Sequence, residues 1–117
     1  MYDIEFYTKE NGKTPVEEFM DNLNEKMRTK ALREICLLRE YGRDLREPHV
    51  KYMKNGIYEL RIKTGSNISR VFYFFFSKKE IILTNGFIKK TEKTPPKEIN
   101  KAIKYKENYV RRNSNEI

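Results

Sequence analysis

Three runs of residues, IYELRIK (57–63), SRVFYFFF (69–76) and EIILTNGFI (80–88), constrain the fold of this chain more than any other feature. Each is rich in β-branched and aromatic residues, and only TGSNI and SKK lie between them. Connectors that short close hairpins and exclude crossovers, so the runs are predicted to be consecutive antiparallel strands. The opening residues 2–8, beginning YDIEFY, alternate in the same way and predict a further strand.

Helical signals occupy the remainder. Thr14 and Pro15 are placed as N-cap and first helical residue, and Glu17 completes a capping box. That helix runs to about Asn24 with Val16, Phe19, Met20 and Leu23 on one side. A second, over 25–41, repeats Met27, Ala31, Ile35, Leu38 and Tyr41 and stops at Gly42. The polar stretch RDLREPHVKYMKNG reads as irregular. Thr94 and Pro95 are placed to open a last helix over 95–112, with the stripe Ile99, Ala102, Ile103, Tyr109 and Val110. The tail 111–117 is expected to fray. The order β-α-α-β-β-β-α is α+β, and it predicts one domain over 1–117 with helices packed on one face of an antiparallel sheet.

Charge narrows the function. Residues 1–50 carry nine Lys and Arg against eleven Asp and Glu, whereas residues 51–117 carry sixteen against six. A basic half suits a polyanion, because Lys and Arg displace the counterions condensed on phosphates. It also serves solubility, and composition leaves both readings open. The single Cys36 forms no internal disulfide, which fits a reducing compartment. No apolar run approaches the ~18 residues of a membrane span, and the N-terminus lacks a signal-peptide pattern, so the expected location is the cytoplasm. One His and one Cys argue against a zinc site or a two-histidine ribonuclease arrangement, and no cofactor is expected.

Strand alternation points to a face. In the run 57–63, Tyr58, Leu60 and Ile62 share one side, and Glu59, Arg61 and Lys63 share the other. In the run 69–76, Val71, Tyr73 and Phe75 form the core set, which places Arg70, Phe72 and Phe74 beside Arg61 on an open face. Guanidinium groups grip phosphates while rings stack on bases, so that face suits RNA. The competing reading buries Phe72 and Phe74 under the C-terminal helix or a loop. The run 80–88 delivers Phe87, Lys89 and Lys90 to the edge of the same face. The parity of Phe87 turns Lys89 toward it and Lys90 away.

The segments IYELRIKTGSNISRVFYFF, ILTNGFIKKTEKTP and KEINKA together resemble the HigB branch of the RelE/ParE toxins, and the likeness extends over about residues 4–106. The resemblance implies a RelE-like domain that cleaves mRNA in the ribosomal A site without a metal, the substrate's 2′-hydroxyl attacking the adjacent phosphate. By position Arg61 and Arg70 match basic residues of the family's active face and Lys89 falls where a third lies, which makes them the expected catalytic set; Phe87 and Lys90 belong to the matched block without an assigned role. With Lys63, Phe72 and Phe74 of the open face, Phe87 and Lys90 are the expected substrate contacts. Some relatives carry histidine where Asn85 and Gly86 stand here, so an obvious acid–base group is missing from that place. The implied partners are the ribosome, mRNA and a cognate antitoxin of the helix-turn-helix, HigA-like kind. Operator DNA would be met only through the antitoxin complex. Two other outcomes remain open: a ParE-like inhibitor of DNA gyrase that acts by binding, and an inactive nucleic-acid-binding relative. Arg61 and Arg70, on a solvent face, are expected to be replaceable by alanine without loss of the fold.

Overall fold

The computed structural model describes residues 1–114. In chain order the elements are β1 (Asp3–Phe6), α1 (Pro15–Asp21), α2 (Glu25–Tyr41), a 3₁₀ turn (Gly42–Asp44), β2 (Val50–Lys54), β3 (Ile57–Thr64), β4 (Asn67–Phe75), β5 (Glu80–Ile88) and α3 (Pro96–Ser114). The α+β class and the two hairpins β3–β4 and β4–β5 are as expected. No helix among the described residues is long and apolar enough to cross a membrane.

Two strand pairings go beyond the sequence analysis. The five-stranded sheet has the order β1-β5-β4-β3-β2, and β1 lies parallel to β5 with Asp3 opposite Glu80. The sheet is therefore antiparallel except at that edge. The stretch read as irregular contains β2, which pairs with β3 through the turn Asn55-Gly56. Both turn residues have positive φ, 52° and 79°, as a two-residue hairpin turn of this hand requires. The Asn-Gly dipeptide was the sequence signal for it.

Helices cover both faces, not one. α1 and α2 pack Val16, Met20, Met27, Ala31, Ile35 and Leu38 against Leu60, Ile62, Val71, Tyr73, Ile81 and Leu83. α3 lies on the opposite face, where Ala102 and Tyr109 meet Ile57, Phe72, Phe74 and Ile82. The aromatic tract makes β4 apolar on both sides, so one layer of helices cannot bury it. α3 shields only one end of its face. The other end, carrying Arg61 and Lys63, is left accessible and forms the candidate site.

The helix ends show local choices. Asn24 caps α2 by accepting from Met27 N at 2.8 Å, and Gly42 ends it at φ +49°. A Cβ there would sit 2.1 Å from the Tyr2 ring, so Gly42 also makes room for β1. Tyr41, expected on the apolar stripe, is exposed. Thr14 precedes Pro15 as expected, but its hydroxyl pairs with Thr8 at 3.1 Å and makes no cap bond. α3 starts one residue later than expected: the Pro95 carbonyl accepts from Glu98 N and Ile99 N, and Thr94 is free for another task. Arg111–Ser114 are helical and not frayed. The rest of the expected frayed tail, residues 115–117, lies outside the described residues.

Candidate active site

The register of β2 ends at Val50, opposite Leu60, with one further bond from Arg61 N to the His49 carbonyl at 2.8 Å, so β3 runs past its neighbour from Ile62 onward. A cleft of about 560 Å³ opens at that edge, lined by Lys30 and Glu34 of α2, His49, and Arg61, Lys63 and Arg70 of the sheet.

Arg61 and Arg70 are register partners across β3 and β4. Like charges directly opposite each other repel, so something must hold them together. Glu59 does. It is 1% exposed; its Oε1 accepts from Arg70 Nε at 3.1 Å and lies 3.6 Å from Arg61 Nε. Arg70 Nη1 donates to the Ser69 carbonyl at 3.0 Å. Burial lowers the Arg70 pKa and the Glu59 charge raises it again, while Arg61 pushes it down. Arg61 is looser, with Glu47 at 3.7 Å on its other side. One guanidinium is built in; the other reaches into the cleft.

Lys89 follows the end of β5, and its N–H donates to the Ile68 carbonyl at 2.8 Å. Its amine pKa lies below the ordinary lysine value, first through desolvation and then through the charge of Arg70. Arg61 and Lys51 push in the same direction, and Glu59 opposes them. The structure therefore joins Lys89 electrostatically to both arginines. Lys63 is exposed on the cleft lining. Lys89 is half-buried and Lys90 exposed, and neither forms part of that lining.

The aromatic substrate contacts are corrected. Phe72 and Phe74 do share the arginine face, but they are 0% and 1% exposed beneath α3. Phe87, opposite Arg70, is also buried, and it stacks on Phe72 with ring centroids 5.6 Å apart. A ring enclosed on both sides offers no surface to a base. The three rings are the floor that supports the arginines.

Three residues were missed: His49 and the buried carboxylates Glu34 and Glu59. His49, the only histidine, places Nδ1 2.7 Å from Glu34 Oε1, and Glu34 is buried. The signal was Glu34 itself, seven residues after Met27 on the core stripe of α2, where an unpaired carboxylate would be costly. Glu59 carried the same signal more weakly. Asn85 and Gly86, by contrast, are structural. Asn85 is buried and donates to the Glu98 carbonyl at 3.4 Å, under the start of α3. A Cβ on Gly86 would come within 2.5 Å of the Phe19 ring.

A small α+β domain with this sheet and these helices has a RelE-like fold, and its site is a cationic cleft at an open strand edge. Residues 18–107 match the family described as phage derived protein Gp49-like (DUF891). The chain belongs to that family, which is of the RelE/ParE-like toxin kind. No curated protein matches it.

Proposed function

We propose that this protein is the toxin of a type II toxin–antitoxin system of the HigB branch, a ribosome-dependent mRNA endonuclease that needs no metal of its own. The observation that carries the reading is the Arg61–Arg70 pair, two cations held side by side at a cleft by a buried carboxylate. An attack by the 2′-hydroxyl on the neighbouring phosphate spreads negative charge over the phosphate oxygens. Fixed guanidinium groups stabilise that charge more than they stabilise the ground state. Lys89 supplies the proton for the departing 5′-oxygen, and its lowered pKa makes it a better donor than an ordinary lysine. His49 takes the proton of the attacking hydroxyl. In the tautomer that donates Nδ1–H to Glu34, Nε2 is left as the base. The ribosome orients the mRNA for in-line attack. A helix-turn-helix antitoxin neutralises the toxin in the cytoplasm and carries the complex to operator DNA.

The test compares mRNA on purified ribosomes with the same RNA free in solution. Efficient cutting only on ribosomes, leaving 2′,3′-cyclic phosphate and 5′-hydroxyl ends, is the expected result. Equal cutting of free RNA points to a self-sufficient nuclease. Arrest of DNA synthesis with no cleavage points to gyrase instead, and no toxicity at all to an inactive relative.

Within this reading, Lys89→Ala is expected to slow single-turnover cleavage by about 10²–10³-fold, the loss of one transition-state contact. Lys90→Ala and Lys93→Ala should stay near wild type, since both side chains are exposed and alternation turns Lys90 away from the arginine face. The pH profile adds a check. Lys89 must be protonated to donate, so activity persists below its pKa and falls as pH rises through it. Because that pKa is lowered, the fall comes at lower pH than for an ordinary lysine, and Lys89→Ala removes it. Equal small losses at all three lysines would mean a diffuse basic patch.

A further inference from the structure

Thr94 stands two residues before α3, at the end of the segment that carries Lys89, Lys90 and Lys93. Its sequence neighbourhood marks it as a helix cap, yet its hydroxyl turns inward and donates to Glu59 Oε2 at 2.5 Å. The other oxygen of the same carboxylate holds Arg70 Nε at 3.1 Å. Glu59 is anchored by its place in the sheet, with Lys51 of β2 on one side and Phe72 of β4 on the other. We infer that Thr94 and Glu59 are positioning residues for cleavage: Thr94 fixes the rotation of the Glu59 carboxylate, and that carboxylate aims Arg70. This rests on the nuclease reading above and goes beyond it by assigning roles to two residues outside the cationic set.

The physical argument is one of rotational freedom. A carboxylate held at one oxygen can swing about its terminal bond toward whichever cation is nearest, and Arg61 Nε lies only 3.6 Å from Oε1. Held at both oxygens, it cannot swing. Arg70 then has Nε on Glu59 and Nη1 on the Ser69 carbonyl, which leaves the Nη2 end for a phosphate. The same hydroxyl ties the lysine-bearing segment to the sheet face that carries the arginines. The start of that segment is already held to β4 by the bond from Lys89 N to the Ile68 carbonyl, and the Thr94 hydroxyl adds the tie at its far end. Preorganisation of this kind affects the chemical step more than binding, because the ground-state phosphate tolerates looser partners than the transition state does.

The test uses Thr94→Val, which keeps the side-chain shape and removes the donor, and Thr94→Ser, which keeps the donor. In single-turnover cleavage of ribosome-bound mRNA, Thr94→Val is expected to lower the maximal rate by about 10–100-fold, the worth of one hydrogen bond to a charged group. Half-saturation should stay within about two-fold, since binding does not need the fixed geometry. Thr94→Ser should recover most of the rate. In an Arg70→Lys background, Thr94→Val should cost much less, because the bond acts through the guanidinium. A Thr94→Val protein that cleaves like wild type overturns the inference. So does one whose loss appears wholly in half-saturation or is not rescued by serine, since both belong to a merely structural threonine. Failure of the wild type to cleave at all removes the nuclease reading and this role together, whereas a fully active Thr94→Val protein removes only the role.

Discussion

Arg61→Ala is expected to lower the single-turnover rate by about 10²–10³-fold, the cost of one lost electrostatic contact to the transition state, with the urea unfolding midpoint nearly unchanged. Its guanidinium is partly exposed, its 3.7 Å pair with exposed Glu47 is worth only about 0–1 kcal/mol, and buried Glu59 keeps its closer bonds from Arg70 and Thr94 when Arg61 is removed. Arg70→Ala should lose the same activity and much of the stability as well. It strips the close partner from a carboxylate that is 1% exposed, and breaking a buried pair from one side costs about 3–5 kcal/mol. Alternation alone made the two arginines equivalent and both dispensable to the fold. Burial separates them. Wild-type cleavage by a soluble Arg61→Ala protein would remove that residue from the site, and an unchanged midpoint for Arg70→Ala would mean that Glu59 finds other partners.

Phe72→Ala is expected to destabilise the protein by about 3–5 kcal/mol, the usual cost of emptying a buried aromatic site. That is a large share of the roughly 5–15 kcal/mol that holds a domain folded. Phe72→Leu, which refills most of the volume, should restore both the unfolding midpoint and the cleavage rate. The pair of variants separates two roles for the ring. A stacking platform would lose RNA affinity in both and stability in neither. A core residue loses stability in the alanine variant and regains it in the leucine variant, as the stacking of Phe72 on Phe87 beneath α3 requires.

By itself the sequence determined the β3–β4–β5 meander, since connectors of a few residues leave adjacent strands no other arrangement. It determined which residues share a face, because alternation is local: Arg61 and Arg70 are register partners, and Phe87 lies opposite Arg70. It marked the end of α2 at Gly42 and the apolar stripe of α3. Only the tertiary structure decided what covers each face. α3 could have joined α1 and α2 on one side; its passage to the other buries Phe72 and Phe74 and leaves the arginines at the uncovered end. The parallel pairing of Asp3 with Glu80, the His49–Glu34 contact and the Thr94–Glu59 bond join residues far apart in the chain. Local periodicity carries no information at such separations. Those contacts are selected by the packing of the whole molecule, where a buried carboxylate must find its partners wherever the fold brings them.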